Sequence, residues 1–194
     1  MKLIPILLGL LACQPGQLKT SDSVSNGPTA DPSPITWTDC SSNENDHPCD
    51  FTLENAVGEE VNLYEFYGKP VVVDFSTMWC YYCQLSAYDI KEIVDVHEVE
   101  DLVYITVLVQ NFSGAPTTPT DLIEWENHFN IGSEVSPVLL GDAQMIAQSP
   151  DVEGWFVEAW PTHYFIDRTM TTRMYLRGWS EASINAGIEL ITTD

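Results

Sequence analysis

The chain has 194 residues, which is enough for one domain with a substantial core. Hydrophobic residues make up 44% of the chain, as in an ordinary globular protein. With 29 acidic and 7 basic residues, the formal net charge is -22. This excess of negative charge argues against nucleic acids and anionic lipid surfaces as partners. It favours a solubilising surface, and an acidic face that selects basic substrates is the alternative.

Residues 1–12 have the pattern of an export signal, with one lysine and a short apolar run. The run is too short to cross a bilayer, which takes a helix of about 20 residues. Leu10-Leu11-Ala12-Cys13 resembles the lipobox of bacterial lipoproteins, which implies that Cys13 is lipidated. An ordinary signal peptide cleaved nearby is the alternative. We expect a periplasm-facing lipoprotein of the cell envelope, and Gln14 favours the outer membrane by resemblance to enterobacterial sorting.

The residues that follow separate into a tether and a domain. Residues 13–35 are rich in Ser, Thr, Pro and Gly, which predicts a disordered tether, and residues 36–194 form the predicted domain. Its first part is polar and contains Cys40 and Cys49. Five cysteines is an odd number, but a lipid on Cys13 leaves four, and export then favours a Cys40–Cys49 disulfide. A second redox pair, or a metal site with His47, is the alternative.

The first half of the domain reads as a hairpin, a helical turn, a strand and a helix. Phe51 to Leu63 predicts the hairpin, and Leu63 to Pro70 predicts the helical turn. Val71 to Ser76 is an apolar run with one carboxylate, Asp74, which is typical of a strand covered on both faces. The next helix is predicted to begin at Cys80, because apolar residues recur every three or four positions after it.

The second half alternates further strands and helices. Leu102 to Val109 predicts a buried strand, and Thr120 is the expected N-cap of a helix that ends at Phe129. This order implies parallel strands with a right-handed crossover. The remaining predictions, in chain order, are a short strand and helix over Pro137 to Ala147, a loop over Pro150 to Ala159, strands at Thr162 to Ile166 and Thr172 to Trp179, and a last helix capped by Ser180.

Trp79-Cys80-Tyr81-Tyr82-Cys83 is the most informative motif. Two cysteines two residues apart, after a strand and at the start of a helix, indicate a redox pair more often than half a metal site. The free N–H groups and the positive dipole end of the helix stabilise a thiolate at Cys80. Such a thiolate is what thiol–disulfide exchange requires.

Three motifs together resemble the thioredoxin family, and more closely the exported TlpA-like thiol–disulfide oxidoreductases. They are Asp74-Phe75 with the CxxC motif, Trp160-Pro161-Thr162 at the start of a strand, and Gly178 after the last strand. The resemblance runs from about Phe51 to the C-terminus. It implies an α/β, thioredoxin-like fold with a central mixed β-sheet flanked by helices, and the hairpin is an N-terminal extension.

The resemblance also implies catalytic roles. Cys80 is the expected nucleophile, Cys83 resolves the mixed disulfide, and the pair forms the redox-active disulfide. Asp74 is expected to be buried and to exchange a proton with Cys83. The alternatives for Asp74 are a solvent-facing strand end and a salt bridge to Lys69. Thioredoxins carry a lysine on the next strand near this position, and Leu102 to Val109 contains none, so proton relay is expected to differ.

The substrate is expected to bind beside the cysteines. By resemblance, Pro161 is cis and lies against the disulfide, where it excludes metals. That geometry leaves the backbone of Trp160 free to pair with an extended substrate segment. Trp79 and Thr162 complete the expected substrate-binding residues, and packing in the core is the alternative for both tryptophans.

We therefore expect a monomeric protein-disulfide oxidoreductase that needs no cofactor and no metal. Its expected partners are exported proteins with cysteine thiols or disulfides and a membrane or periplasmic electron donor. One alternative is a thiol peroxidase of the peroxiredoxin type, because Thr77 precedes Cys80 as in those enzymes, although Val73 replaces their proline. The other is a copper-delivery module that uses Cys80, Cys83 and His163.

Overall fold

The computed structural model describes residues 35–150 and 152–193. The predicted signal over residues 1–12, the lipidation site Cys13 and all but the end of the tether predicted over 13–35 lie outside the described residues. None of the helices within these two ranges has both the length and the apolar character needed to cross a bilayer.

A five-stranded mixed sheet forms the centre of the domain. The elements in chain order are β1 (Thr52–Glu54), β2 (Glu60–Asn62), β3 (Val71–Thr77), α1 (Tyr81–Val96), β4 (Val103–Gln110), α2 (Pro119–Phe129), β5 (Val138–Leu140), β6 (Ile146–Ala147), β7 (Trp155–Phe156), β8 (Thr162–Ile166), β9 (Thr172–Arg177) and α3 (Glu181–Thr192). The order in the sheet is β5-β4-β3-β8-β9. β3 and β4 are parallel, as are β4 and β5, whereas β8 is antiparallel to both β3 and β9. The predicted thioredoxin-like fold is confirmed, including the hairpin of β1 and β2.

The two faces of the sheet are covered differently. Val72 belongs to a buried cluster that contains side chains from all three helices. Val71, Val73 and Phe75 belong to a second cluster, which receives residues of the hairpin and Trp155 but none from those helices. Because side chains alternate along a strand, Asp74 lies on the same face as Val72. The buried carboxylate therefore lies under the helices, on the side of the sheet that α1 covers.

Three boundaries differ from the predictions. α2 is capped by Thr118 instead of Thr120, because Pro119 occupies the first helical position and Thr118 forms a capping box with Asp121. β9 ends at Arg177 instead of Trp179, since Gly178 has a φ of 77°. The loop predicted over 150–159 contains β7, which pairs with β6, and a two-residue strand is too short to leave a periodic pattern.

Candidate active site

Cys80 lies in the turn between β3 and α1 and caps the helix with its own sulfur. Its backbone is extended, and its Sγ accepts a hydrogen bond from the N–H of Cys83 at 3.3 Å. The turn is attached to the end of β4, because the N–H of Met78 donates to the carbonyl of Gln110 at 2.8 Å. The sulfur therefore occupies the place of a capping oxygen, where free N–H groups and the helix dipole favour negative charge.

The segment before β8 meets Cys80 from the other side. The thiol of Cys80 donates to the carbonyl of Trp160 at 3.4 Å, and the Trp160–Pro161 peptide bond is cis. Pro161 is anchored through its carbonyl, which accepts from the N–H of Gly178 at 2.7 Å. Thr162 is fully buried, and its hydroxyl donates to the carbonyl of Ala159 at 2.7 Å. Of the predicted substrate-binding residues in this segment, Trp160 therefore contacts Cys80 directly, Pro161 follows it through the cis bond, and Thr162 is buried and holds the segment to Ala159.

The two sulfurs differ in access. Cys80 is 7% exposed and Cys83 is fully buried, so Cys80 is the reachable residue of the pair, through a narrow opening. Aromatic side chains surround the opening, with Trp79 47% exposed, Tyr81 65% and Tyr82 53%. Trp79 also donates from Nε1 to the side-chain oxygen of Gln110 at 2.9 Å. Core packing is therefore wrong for Trp79, which offers its ring to the surface.

Asp74 lies in the protein interior, near the buried cysteine. Burial raises the pKa of Asp74 to about 7, although hydrogen bonds from Ser76 and Ser86 favour its charged form. The Ser76 hydroxyl donates to Oδ1 at 2.7 Å. Burial, and then the charge of Asp74, hold the pKa of Cys83 well above its usual range. The alternative of a solvent-facing Asp74 is wrong, since its side chain is completely buried.

Sequence reasoning missed a cluster of polar side chains around Asp74. His163 lies directly opposite Asp74 in the β3–β8 ladder, with Nε2 at 3.7 Å from Oδ1. The same Nε2 is 3.1 Å from the hydroxyl oxygen of Ser86, which is in turn 3.2 Å from the hydroxyl oxygen of Tyr104. All these side chains are buried. The sequence does show a histidine two residues beyond Pro161. Its pairing with Asp74, however, depends on the antiparallel register of β3 and β8, which local sequence patterns do not reveal.

The structure does not assemble the copper site considered from the sequence. His163 is completely buried and its Nε2 faces Ser86 and Asp74. Among residues 35–150 and 152–193, no group of three or more His, Cys, Asp or Glu side chains is arranged to hold a metal ion.

Cys40 and Cys49 form a disulfide, apart from the CxxC motif. His47, considered as a metal ligand with them, stacks on Trp37 with ring centroids 3.7 Å apart. Its Nδ1 lies 2.7 Å from the carbonyl oxygen of Met170. The polar segment is thus packed against the domain, and its sulfurs are joined to each other.

Comparison with known proteins places the domain in a family. Residues 45–174 match the AhpC/TSA family. No curated protein matches the chain in a direct comparison. Among solved structures, the exposed lipoprotein thioredoxin of Streptococcus pneumoniae is 25% identical, with a TM-score of 0.55 over 73% of this chain and 98% of that one.

Two further structures share the fold at lower identity. A thiol:disulfide interchange protein of the thioredoxin family from Chlorobium tepidum has a TM-score of 0.60 at 15% identity, over 80% of this chain and 99% of that one. A secreted disulfide oxidoreductase from Mycobacterium tuberculosis, homologous to DsbE of E. coli, has a TM-score of 0.52 at 16% identity, over 71% and 93%.

The fold and the family match together define a thioredoxin-like redox enzyme, the class that the sequence motifs predicted. More particularly, the chain belongs to the AhpC/TSA family, whose match covers most of the domain, including the CxxC motif and the Trp160–Pro161 turn.

Proposed function

We propose that this protein is an extracytoplasmic thiol–disulfide oxidoreductase that reduces, or exchanges, disulfides of exported proteins through Cys80 and Cys83. The observation that carries the proposal is the position of the Cys80 sulfur. It lies at the start of α1, 3.3 Å from the N–H of Cys83 and 3.4 Å from the carbonyl of Trp160, and it is the more accessible sulfur of the pair.

In the reducing direction, the Cys80 thiolate attacks one sulfur of a client disulfide. A Cys80–client bond forms, and the other client sulfur leaves as a thiolate. Cys83 gives its proton to Asp74 and attacks the Cys80 sulfur. The Cys80–Cys83 disulfide forms, the client leaves with its second thiolate, and two electrons have passed to it. A membrane or periplasmic dithiol then reduces the pair, so no bound cofactor is needed.

The surface around Cys80 fits a protein client. Trp79, Tyr81 and Tyr82 present aromatic rings beside an opening that is too narrow to expose more than 7% of Cys80. The backbone next to the cis Pro161 supports pairing with an extended client segment, which would bring its cysteine over the Cys80 sulfur. We therefore assign substrate contact to Trp79, Trp160 and Pro161, and support of the turn to Thr162.

The cell envelope is the proposed location. The export-signal pattern of residues 1–12, the lipobox-like sequence that ends in Cys13 and the Cys40–Cys49 disulfide support export, and one structural neighbour is an exposed lipoprotein while another is secreted. Nothing in these neighbours supports the outer membrane in particular. Lipid labelling of the full chain tests the anchor, because the label should be lost in Cys13→Ala.

Trapping of the mixed disulfide tests the proposed function. Cys83→Ser leaves the nucleophile but removes the resolving sulfur, so clients should accumulate on Cys80 and be visible by mass spectrometry. Cys80→Ser is the matched control and should trap none. Clients on Cys83 in that control, or no adduct in either variant, would overturn the proposal. The reduction potential then gives the direction: about −270 mV indicates a reductant, and about −120 mV an oxidant.

A thiol peroxidase is the second candidate. The AhpC/TSA match and the buried Thr77, whose hydroxyl has no hydrogen-bond partner among the described residues, favour it. Peroxide consumption with a dithiol reductant separates the two functions. A peroxidase would keep its first turnover in Cys83→Ser, whereas the proposed oxidoreductase should consume no peroxide beyond the background rate.

A further inference from the structure

The polar cluster around Asp74 contains a histidine, His163, that takes no part in the proposed exchange reaction. His163 is a completely buried histidine that faces the carboxyl group across the β3–β8 ladder. Buried polar groups are costly unless they are hydrogen-bonded, and a histidine among apolar neighbours needs a physical reason. Its Nε2 has one close partner, the Ser86 hydroxyl at 3.1 Å.

His163 acts on Asp74 indirectly. The 3.7 Å between Nε2 and Oδ1 is too long for a hydrogen bond. Burial lowers the pKa of His163 to about 3, so the ring is neutral at neutral pH and the contact is not an ion pair. Ser86 influences both groups: its oxygen lies 3.1 Å from Nε2, and its hydroxyl favours the charged form of Asp74, although the 2.7 Å hydrogen bond that Asp74 accepts comes from Ser76.

Ser86 is well placed to couple these groups to the resolving cysteine. It lies three residues after Cys83 on α1, and residues at this spacing share one face of a helix. A serine hydroxyl has a single proton but can accept two hydrogen bonds. When that proton turns toward the charged carboxylate of Asp74, the other neighbours of Ser86 can only donate to its oxygen.

We propose that His163 is a positioning residue for the resolving step: as a neutral ring, it holds the Ser86 hydroxyl in the orientation that serves Asp74. When Asp74 is a carboxylate, Nε2–H donates to the Ser86 oxygen and the Ser86 proton points at Asp74. When Asp74 has taken the proton of Cys83, the ring keeps the same tautomer: Nε2–H still donates to the Ser86 oxygen, and the Ser86 proton can turn to the hydroxyl oxygen of Tyr104. The inference rests on the proposed function, since it concerns the step in which Cys83 attacks.

The titratable groups that face the cluster are few. They are Asp74 from β3, Cys83 from α1 and Tyr104 from β4. On its other side, His163 of β8 is paired with Leu176 of β9, which does not titrate. Burial, and then the charge of Asp74, hold the pKa of Tyr104 well above its usual range, so its hydroxyl keeps a proton to donate to Ser86. Asp89 of α1 also raises the pKa of Tyr104, by a smaller contribution.

Infrared difference spectroscopy of the full chain tests the proposal without relying on turnover. The C=O band of protonated Asp74, identified by its loss in Asp74→Asn, reports the titration midpoint of this carboxyl group. Ser86→Ala removes a hydrogen bond to the charged form and should raise the midpoint by about one pH unit. His163→Leu should also raise the Asp74 midpoint. His163→Gln should return it to the wild-type value, because the glutamine amide can donate to the Ser86 oxygen in place of Nε2–H.

The pH profile of the resolving step is the second readout. Decay of a preformed mixed disulfide should move to higher pH in Ser86→Ala and His163→Leu, parallel to the infrared midpoints. Thr172→Val is the control, because it removes another buried hydroxyl of the same sheet, one without a hydrogen-bond partner among the described residues. It should leave both readouts unchanged.

The outcomes separate this inference from the proposed function. An unchanged or lowered midpoint in folded His163→Leu would overturn the positioning role, even if disulfide exchange is normal. Failure of the wild-type protein to exchange disulfides would instead remove the proposed function, while the infrared midpoints would still show whether His163 acts on Asp74. A matching shift in Thr172→Val would also overturn the role, because any loss of a buried hydroxyl would then be sufficient.

Discussion

Cys40 and Cys49 close a bridge in an irregular segment, whereas Cys80 and Cys83 stand as thiols at the start of a 16-residue helix. At the first pair, the N–H of Gly154 donates to Cys49 Sγ at 3.3 Å. Around the second pair, a helix N-terminus, a cis proline turn and a buried carboxyl group converge. The comparison teaches that the environment, and not the cysteines alone, distinguishes a structural bridge from a candidate redox pair.

The largest expected contrast is in activity. Cys80→Ser should reduce disulfide reduction to background, because the attacking sulfur is lost. Cys40→Ser/Cys49→Ser should retain a rate close to that of the wild-type protein, since that bridge joins two residues of the N-terminal segment and leaves both sulfurs of the CxxC motif in place. Reduction of a model client disulfide measures both. If the double variant lost as much activity as Cys80→Ser, the division between the two pairs would be wrong.

The buried Asp74 of the candidate redox site should lower the free energy of unfolding, by an amount that depends on pH. Burial raises its pKa from 3.8 to about 7, so between these values the folded state holds a proton that the unfolded state has released. Stability is therefore lost as the pH rises through this window. Asp74→Asn should raise the free energy of unfolding by up to about 4 kcal/mol at about pH 8, and by little at about pH 4.

Urea unfolding at the two pH values measures this gain. His163 contributes with the opposite sign, because burial lowers its pKa from 6.5 to about 3 and stability is lost as the pH falls through that range. Because burial is the largest cause of that lowering, the contribution is expected in both proteins and largely cancels in the difference. Asp95→Asn, at an exposed carboxylate of α1 paired with Lys91, is the matched control. An equal gain at both pH values would contradict the buried, protonated state of Asp74.

The smallest of these effects concerns the bridge. Cys40 and Cys49 are separated by 9 positions, and a disulfide that closes so short a loop stabilises by about 3 kcal/mol. Cys40→Ser/Cys49→Ser should lower the free energy of unfolding by about that amount, as measured by urea unfolding without reductant. Addition of a reductant should lower the wild-type value equally and leave the double variant unchanged. No change on removal of the bridge would show that packing alone holds the segment.

Much of the candidate site was predictable because its signals are local. The CxxC motif follows an apolar strand, so Cys80 had to lie near a helix start, and a carboxylate in that strand had to be buried or paired. The N-cap of α2 was also a local question, but Thr120 was chosen where Thr118 and Pro119 carry the stronger signal. The narrow exposure of Cys80 was not predictable, because the Trp160 carbonyl that contacts its sulfur lies 80 residues further along the chain.

The amino-acid sequence alone determined the main helices and strands, their order and the two sulfurs that stand one turn apart, since apolar spacing and helix capping act over a few residues. Tertiary structure alone decided what lies against those sulfurs. The contact from Cys80 to Trp160 spans 80 residues and that from Ser86 to His163 spans 77. Both exist because β8 enters the sheet antiparallel beside β3, a choice made by packing of the whole core. That register sets His163 opposite Asp74, and a shift of one residue would turn its side chain to the other face.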